Sequence, residues 1–454
     1  GRRTQGPFAS FWGSALAEPI DFRVSVAVVE TERCQSRLQS AMEKAALRVC
    51  LLTASISGLG GVEAVVRQLA EDLSRRGHRV LVLTLDRDVS AEYPGDSAYE
   101  VSCAWSRTSD RYQARTTRGG SYKAWWQLRS LSNRELMQKV EAIVTGFQPD
   151  VVHTHKVRGF PRKLWPRLGE LGAFPIMHTC HDIELLSPDH RISVVHPGLL
   201  NGLLLKAYGS LAKLPSSSVS TVSSPSEFML ALHQDRDLFP GASARVIPNA
   251  PDLEPTGTER LRAGPGPGEA LKLLFIGRLV EVKGIRALCE ATTMAVNDGL
   301  NIELVIAGDG DLRHVAERYD ASHDFVRFLG PVTGADKERL FRDCHVVVVP
   351  SQYDETFGIV AAEAITAARP VLVSSRGGLP EVVDDGETGW VYRGDGVNAL
   401  LEGLKQVDAC REQLSAFSAQ CEAISGRFAR QSVIDCYESS YERLLAGGAG
   451  EAGG

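Results

Sequence analysis

The sequence predicts an α/β protein built as two doubly wound, Rossmann-like domains facing a central cleft. Three observations carry that prediction. Short, β-branched apolar runs such as Val346–Val349 read as strands buried on both faces. Each run is followed by a loop, a helical stretch and another such run, which is the order of a parallel sheet. The series also starts twice, near Val49 and again near Leu273, with a Gly- and Pro-rich stretch over residues 256–268 between the two starts.

With 454 residues the chain has room for two or three domains with sizeable cores. Its 43% hydrophobic and 23% charged residues are those of an ordinary soluble protein. A net charge of −6 argues against a general nucleic-acid binder, while leaving room for a local basic patch. The nine cysteines are odd in number and scattered, without disulfide or zinc spacing, so a reducing, cytoplasmic setting is the default. No apolar run reaches transmembrane length.

The first 41 residues stand apart. Their only periodic piece, residues 22–29, alternates like a lone strand, and residues 9–17 are too short and too poorly flanked for a secretory signal. Met42 precedes the first convincing strand by a few residues, so it reads as the natural start and residues 1–41 as a non-native or disordered extension.

From there the elements follow in order. Residues 49–52 form a buried strand, followed by a loop ending in Gly60-Gly61. Val62, Val65, Val66, Leu69 and Leu73 mark one face of a helix that Gly77 closes, and residues 80–85 form the second strand. The glycines of the first turn do not spell G-x-G-x-x-G, so a dinucleotide reading is weak; a close backbone approach to a ligand and a simple tight turn are the alternatives.

Between Trp105 and Arg134 the character changes. Arg107, Arg111, Arg115, Arg118, Lys123, Arg129 and Arg134 face only Asp110 as opposing charge, with Tyr112, Tyr122, Trp125 and Trp126 interleaved. The mixture suits an anionic membrane surface or an acidic acceptor, and a solvated loop nearly as well.

Helical periodicity returns at Leu136, Val140, Ile143, Val144 and Phe147. Two strands then end in histidines, one at His153 and His155, the next at His178 and His181. The carboxyl ends of strands are where α/β sheets bind ligands. A metal site is the obvious alternative, but no Cys or acidic residue completes a zinc spacing, and each histidine alone would more often be structural. His178 should point away from His181, since alternate strand residues face opposite sides. Residues 219–223 form a strand, a helix starts near Ser226, and Ile247-Pro248-Asn249 ends the first half.

The second half restarts with a strand over residues 273–276 and its turn at Gly277-Arg278, then Lys283-Gly284 before a helix. Two cations five residues apart at a strand's carboxyl end would neutralise a diphosphate, Arg as a fork and Lys as a mobile point charge; plain surface charge is the alternative. A strand over residues 302–307 turns at Gly308-Asp309-Gly310, and residues 325–329 lead to Gly330-Pro331-Val332. After Val346–Val349 comes a polar loop, then Phe357, Gly358, Ile359 and Val360 opening a helix that extends to about Ala368; Pro370 stops it and residues 371–373 return as a strand. Amides at that helix start, with the dipole behind them, form an anion site best matched to phosphate. Glu355 sits beside it and Glu363 more than a turn further in, unless both are ordinary helix-start and surface residues. A phosphate between two carboxylates suggests a ligand carrying both phosphates and hydroxyls, as a nucleotide sugar does. Residues 427–445 read as a last helix, apolar at Phe428, Val433, Tyr437, Tyr441 and Leu444.

The Glu355-x7-Glu363 spacing with Phe357-Gly358, the run Gly377-Gly378-Leu379-Pro380-Glu381 to Thr388-Gly389, and Gly277-Arg278-Leu279 with Lys283-Gly284 together resemble the retaining glycosyltransferases of family four, group 1, over roughly residues 48–445. Two departures stand out. The family usually has Gly where this chain has Ala368, before Arg369-Pro370, so a left-handed cap there costs more. Asn249-Ala250-Pro251-Asp252 replaces the usual N-G-V-D.

The resemblance implies the GT-B fold: an acceptor-side domain over residues 42–250, a linker over 251–270, a nucleotide-sugar domain over 271–425 and a helix over 426–446 crossing back. It implies Gly60 and Gly61 near the donor diphosphate, and His181, of His181-Asp182, near the anomeric carbon. Arg278, Lys283 and the amides at Phe357, Gly358, Ile359 and Val360 would stabilise the departing diphosphate. Glu355 would orient sugar hydroxyls, Glu363 the ribose, and Val332 would lie near the base. It implies a nucleoside diphosphate sugar as co-substrate with no further cofactor and no metal, Asp309-Gly310-Asp311 being an ordinary turn. The implied reaction is transfer of a hexose-type sugar to an unidentified glycan, lipid or small-molecule acceptor. Independently of the resemblance, the basic stretch from Trp105 to Arg134 suits peripheral contact with anionic membrane at the inner face. Two rivals share the cleft: a nucleotide-sugar epimerase of the same fold, and a non-catalytic nucleotide-sugar-binding module.

Overall fold

Strands buried on both faces need a helical layer on each side, and the chain supplies that arrangement twice. The computed structural model describes residues 46–57, 61–87, 98–105, 133–172, 174–187, 205–206, 208, 213, 215–253, 264–266 and 268–448. The expectations for residues 1–41, Gly60 and most of the basic stretch lie outside the described residues. From Leu47 onward the chain belongs to one unit.

The first half contains β1 (Arg48–Leu52), α1 (Gly61–Arg75), β2 (Arg79–Thr84), β3 (Glu100–Cys103), α2 (Arg134–Phe147), β4 (Val151–Thr154), α3 (Leu164–Leu171), β5 (Ile176–Thr179), β6 (Thr221–Ser224), α4 (Glu227–Gln234) and β7 (Ser243–Val246). The second half follows with β8 (Leu271–Ile276), α5 (Ile285–Asn297), β9 (Ile302–Ala307), α6 (Arg313–Ser322), β10 (Val326–Phe328), α7 (Gly334–Asp343), β11 (Val346–Val349), α8 (Ile359–Thr366), β12 (Val371–Ser374), α9 (Leu379–Val382) and β13 (Gly389–Tyr392). Three helices end the described chain, α10 (Gly396–Ala409), α11 (Leu414–Ile424) and α12 (Arg430–Gly448).

Both sheets are parallel throughout, with strand orders β3-β2-β1-β4-β5-β6-β7 and β10-β9-β8-β11-β12-β13. The winding reverses between β1 and β4 in the first sheet and between β8 and β11 in the second. Loops leaving the carboxyl ends of those strands diverge to opposite faces and leave a crevice there. His155 after β4, Arg278 after β8 and Glu355 after β11 lie on such loops, and His181 follows the next strand, β5.

One face of the first sheet is closed from the far end of the chain. Val433, Ile434, Tyr437, Tyr441 and Leu444 of α12 pack with α1 against Val49, Leu51, Val80, Val82 and Ile247. Arg430 pairs with Asp72 at 2.8 Å and Arg76 with Glu438 at 2.7 Å, and the Tyr441 hydroxyl reaches His153 Nδ1 at 2.7 Å. The helix starts later than the apolar pattern predicts, because Ser425–Phe428 forms a separate 3-10 turn and Ala429 is extended.

Two further differences have physical reasons. β3 does not stand out in the sequence because three of its four side chains are half-buried and the fourth exposed, which leaves no apolar run and no alternation. α8 stops at Thr366 and Ala368 takes the left-handed conformation (φ 54°). The chain therefore makes the cap turn without Gly. Arg369, 2% exposed, fastens the turn by donating to the carbonyls of Phe341 at 2.7 Å and Arg342 at 3.2 Å.

Candidate active site

At the second switch point, β8 ends at Ile276 and the chain passes Gly277-Arg278 into a 3-10 turn over Glu281–Lys283. Gly284 (φ 75°) lies so close to the next loop that a Cβ there would stand 2.0 Å from the Pro350 carbonyl oxygen. Only a residue without a side chain permits that contact, and it sets Lys283 beside the loop leaving β11. The Gln352 amide, donating to the Val282 carbonyl at 2.8 Å, holds the two segments together.

Lys283 Nζ donates to Glu355 Oε1 at 2.6 Å and to the Tyr353 hydroxyl at 2.9 Å. Glu355 also accepts from the Ser351 hydroxyl at 2.6 Å and, on Oε2, from the Tyr353 hydroxyl at 2.6 Å. Burial first, and the Glu355 carboxylate second, push the Tyr353 phenol up, so it remains a donor. Glu355 is thus 7% exposed with both oxygens engaged, and an ammonium has three protons, one more than these two bonds use. Arg278 is exposed and electrostatically coupled to Tyr353.

Immediately beyond, Gly358 (φ 105°) caps α8, and the amides of Ile359 and Val360 start the helix with no carbonyl a turn below them. Phe357 is buried. Glu363, a turn further, is 4% exposed. Both glutamates are therefore interior residues, against the reading of surface glutamates. Lys337, from α7, ion-pairs with Glu363 Oε1, while Oε2 is buried without a hydrogen-bond partner. Burial pushes the Glu363 carboxyl up; Lys337 opposes this and the Asp252 carboxylate adds to it. Val332 lies half-buried after β10.

At the first switch point, Gly61 opens α1. The preceding loop is pinned by Asp86, whose Oδ2 accepts from the Ser55 hydroxyl at 3.0 Å and from the amides of Ile56 at 2.8 Å and Ser57 at 2.9 Å. His181 follows β5 and is paired, Nε2 to His155 Nδ1, at 2.9 Å with the rings stacked. Burial pushes His181 down to about 4 and His155 well below the ordinary value. Both are neutral at physiological pH, and a single proton joins them. His178 turns aside, against Trp165 and Phe239, with Nδ1 on the Thr154 hydroxyl at 2.9 Å. Glu184, which lines a pocket with His155, His178 and His181, is raised to about 7 by burial and by Asp182. Among the described residues no group of three or more His, Cys, Asp or Glu is arranged to hold a metal ion.

The structure therefore gathers Lys283, Glu355 and the Phe357-to-Val360 turn in one place, with Glu363 close by on the same helix. His181 and Gly61 belong to the other switch point. Tyr353, Ser351 and Lys337 escape a sequence reading because a polar residue on a loop or a charged helix looks like surface. The alternation Ser351, Tyr353, Glu355 is the one signal that three polar side chains share a side.

Two family models match the chain, Glycosyltransferase Family 4 over residues 59–255 and Glycosyl transferases group 1 over residues 258–422. An uncharacterized glycosyltransferase of Methanocaldococcus jannaschii is 29% identical over 350 residues, 74% of this chain and 82% of the relative. A phosphatidyl-myo-inositol mannosyltransferase of Mycobacterium leprae is 28% identical over 367 residues, 80% of this chain and 88% of the relative. Among solved structures, Anabaena HepE in complex with UDP superposes with a TM-score of 0.64 at 18% identity, covering 87% of this chain and all of that one. Sucrose-phosphate synthase from Thermosynechococcus elongatus gives 0.63 at 20% identity, covering 88% of this chain and all of that one. No described helix is long and apolar enough to cross a membrane.

Proposed function

Because the chain belongs to the group 1 glycosyltransferases of the GT-B fold, we propose that it moves a hexose-type sugar from a nucleoside diphosphate donor to an acceptor with retention at the anomeric carbon. One observation carries this reading: the hydrogen-bonded Lys283, Tyr353 and Glu355 adjoin the amide turn that opens α8. Cation, oriented amides and carboxylate then meet in the order that diphosphate and sugar hydroxyls require.

The third Lys283 proton and the amides of Ile359 and Val360 receive the phosphate oxygens, with Arg278 as a second cation. These contacts strengthen as negative charge develops on the leaving group, so they lower the barrier to breaking the anomeric bond. Glu355, fixed on both oxygens, orients sugar hydroxyls. Glu363 Oε2 accepts from the ribose, Val332 borders the base, and His181, with Gly61, faces the sugar and diphosphate from the first half. The two cations and the helix start take the part a metal plays elsewhere.

HepE is described with UDP and with UDP-glucose, so uridine donors head the screen. The mannosyltransferase relative makes inositol lipids reasonable first acceptors, and peripheral docking on anionic membrane through the stretch between Trp105 and Arg134 suits a lipid acceptor. The test is thermal shift with UDP-, GDP- and ADP-sugars in EDTA, then proton NMR of the product's anomeric coupling. An inverted product sinks retention, a requirement for added metal sinks the metal-free mechanism, and conversion of donor alone to an epimer sinks transfer.

A further inference from the structure

The loop that carries Glu355 is fastened from both halves. On its own side, the Gly378 amide donates to the Glu355 carbonyl at 2.8 Å. One residue on, the Thr356 carbonyl accepts from the hydroxyl of Ser226, in the first half, at 2.6 Å. That hydroxyl also caps α4 by accepting from the Met229 amide at 3.2 Å. The two other orphan amides of this helix start, Glu227 and Phe228, donate to the two carboxylate oxygens of Glu381 at 2.6 and 2.7 Å. Glu381 sits on α9, in the second half. The approach is close: a Cβ on Gly378 would stand 2.9 Å from the Ser226 Cβ.

These contacts differ in what happens when they break. Glu381 and Glu227 are exposed side chains, so the Glu381 carboxylate and the two amides can exchange one another for water, although burial pushes the Glu381 carboxyl up. The Thr356 carbonyl instead belongs to the peptide leading into Phe357 and Gly358. Its orientation decides where the following amides point.

We propose that Ser226 and Glu381 form a reversible clasp between the halves, and that its closing fixes the Thr356–Phe357 peptide and so positions the donor loop. Both are positioning residues and neither is assigned contact with the donor. The inference rests on the reading that this loop receives the donor phosphates.

Hydrogen exchange on the full chain without ligand tests the clasp, comparing wild type with Glu381→Ala and Ser226→Ala. Glu381→Ala should speed exchange at the Glu227 and Phe228 amides, which lose their acceptor. It should also speed exchange about fivefold at the Ala361 amide, which Glu381 does not touch, and at the Gly378 amide, whose own carbonyl accepts from the Glu381 backbone at 3.2 Å; Ser226→Ala should do the same at all four. Strand amides at Leu51 and Leu274 should keep their rates, which separates loosening from unfolding. Exchange that changes only at Glu227 and Phe228 overturns the proposal, and Glu381→Gln, which keeps the shape of the side chain, guards against misfolding of the first variant. In a second arm Glu381→Ala should weaken UDP-glucose binding about fivefold. Wild type that takes up neither UDP-glucose, GDP-mannose nor ADP-glucose tells against the donor reading, while the exchange arm decides the clasp by itself.

Discussion

Removing the ammonium beside Glu363 is a perturbation whose size and sign follow from geometry. Glu363 is 4% exposed, and the Lys337 side chain that pairs with it is 24% exposed. Taking one partner from a fully buried pair costs about 3–5 kcal/mol; with Lys337 partly in water we expect about 2–3 kcal/mol for Lys337→Met at pH 7.5. The Glu363 carboxyl is already raised by burial, with Lys337 holding it down. A raised native pKa means that stability is fully present below the unfolded value and is lost as pH rises through the native one. The variant should therefore be hurt most above neutrality and regain stability toward pH 5. Urea melts of wild type, Lys337→Met, Glu363→Gln and the double variant at pH 5, 6 and 7.5 form the measurement. Adding Glu363→Gln to the single variant should restore most of the loss, because no buried charge then remains. A loss independent of pH, or a double variant no better than Lys337→Met, would refute the reasoning and reduce Lys337 to packing.

Other expectations follow from the same contacts. Arg278→Ala or Lys283→Met should slow transfer through the chemical step by about 2–4 kcal/mol of barrier, read as a fall in kcat; unchanged kcat with raised KM alone would show that they only hold donor. His181 and His233, both pushed down to about 4 by burial, stabilise the fold above pH 6.5 and cease to do so as pH falls toward 4. The loss approaches about 3 kcal/mol per histidine. Glu184, raised to about 7, opposes it. Melts from pH 7 to 5 should still show a net decline, and a rise would contradict it. Ala368→Gly should stabilise by about 1 kcal/mol in a chemical melt, by relieving a left-handed residue; a destabilised variant would show that the buried methyl matters more. Wild type should sediment with anionic vesicles at low salt and not at high salt, and failure at low salt removes the membrane contact.

The parts of the site legible in the sequence are those whose chemistry is local. Gly284 after Lys283, and Gly358 between Glu355 and Glu363, mark turns that the backbone needs, so spacing alone points to the loops after β8 and β11. The apolar runs at β1, β8 and β11 are legible because burial on both faces leaves no polar residue to blur them. Partners supplied by a distant segment are different. Lys337 lies on a helix with a single fully buried residue, Phe341, and reads as solvated charge until the fold brings α7 against α8. Glu381 reads as an ordinary first-turn acid, yet its acceptors serve amides 153 and 154 positions away. His155 was visible beside His181 only as another strand-end histidine; the bond between them depends on β4 and β5 being neighbours. Propensity and periodicity describe what a residue does to its own segment, and these residues act on another one.

The sealing of the first sheet by α12 carries a consequence for synthesis. The strands it covers leave the ribosome well before their cover does. About 180 residues separate Ala250, the last first-half residue in that core, from Arg430 at the start of α12, which at roughly 5–20 residues per second is on the order of ten to forty seconds of translation. Through that interval Val49, Leu51, Val80 and Val82 have α1 but not the tyrosines of α12 above them. The nascent chain therefore presents an apolar sheet face for about as long again as its own half takes to be made, and it should engage holding chaperones until α12 emerges.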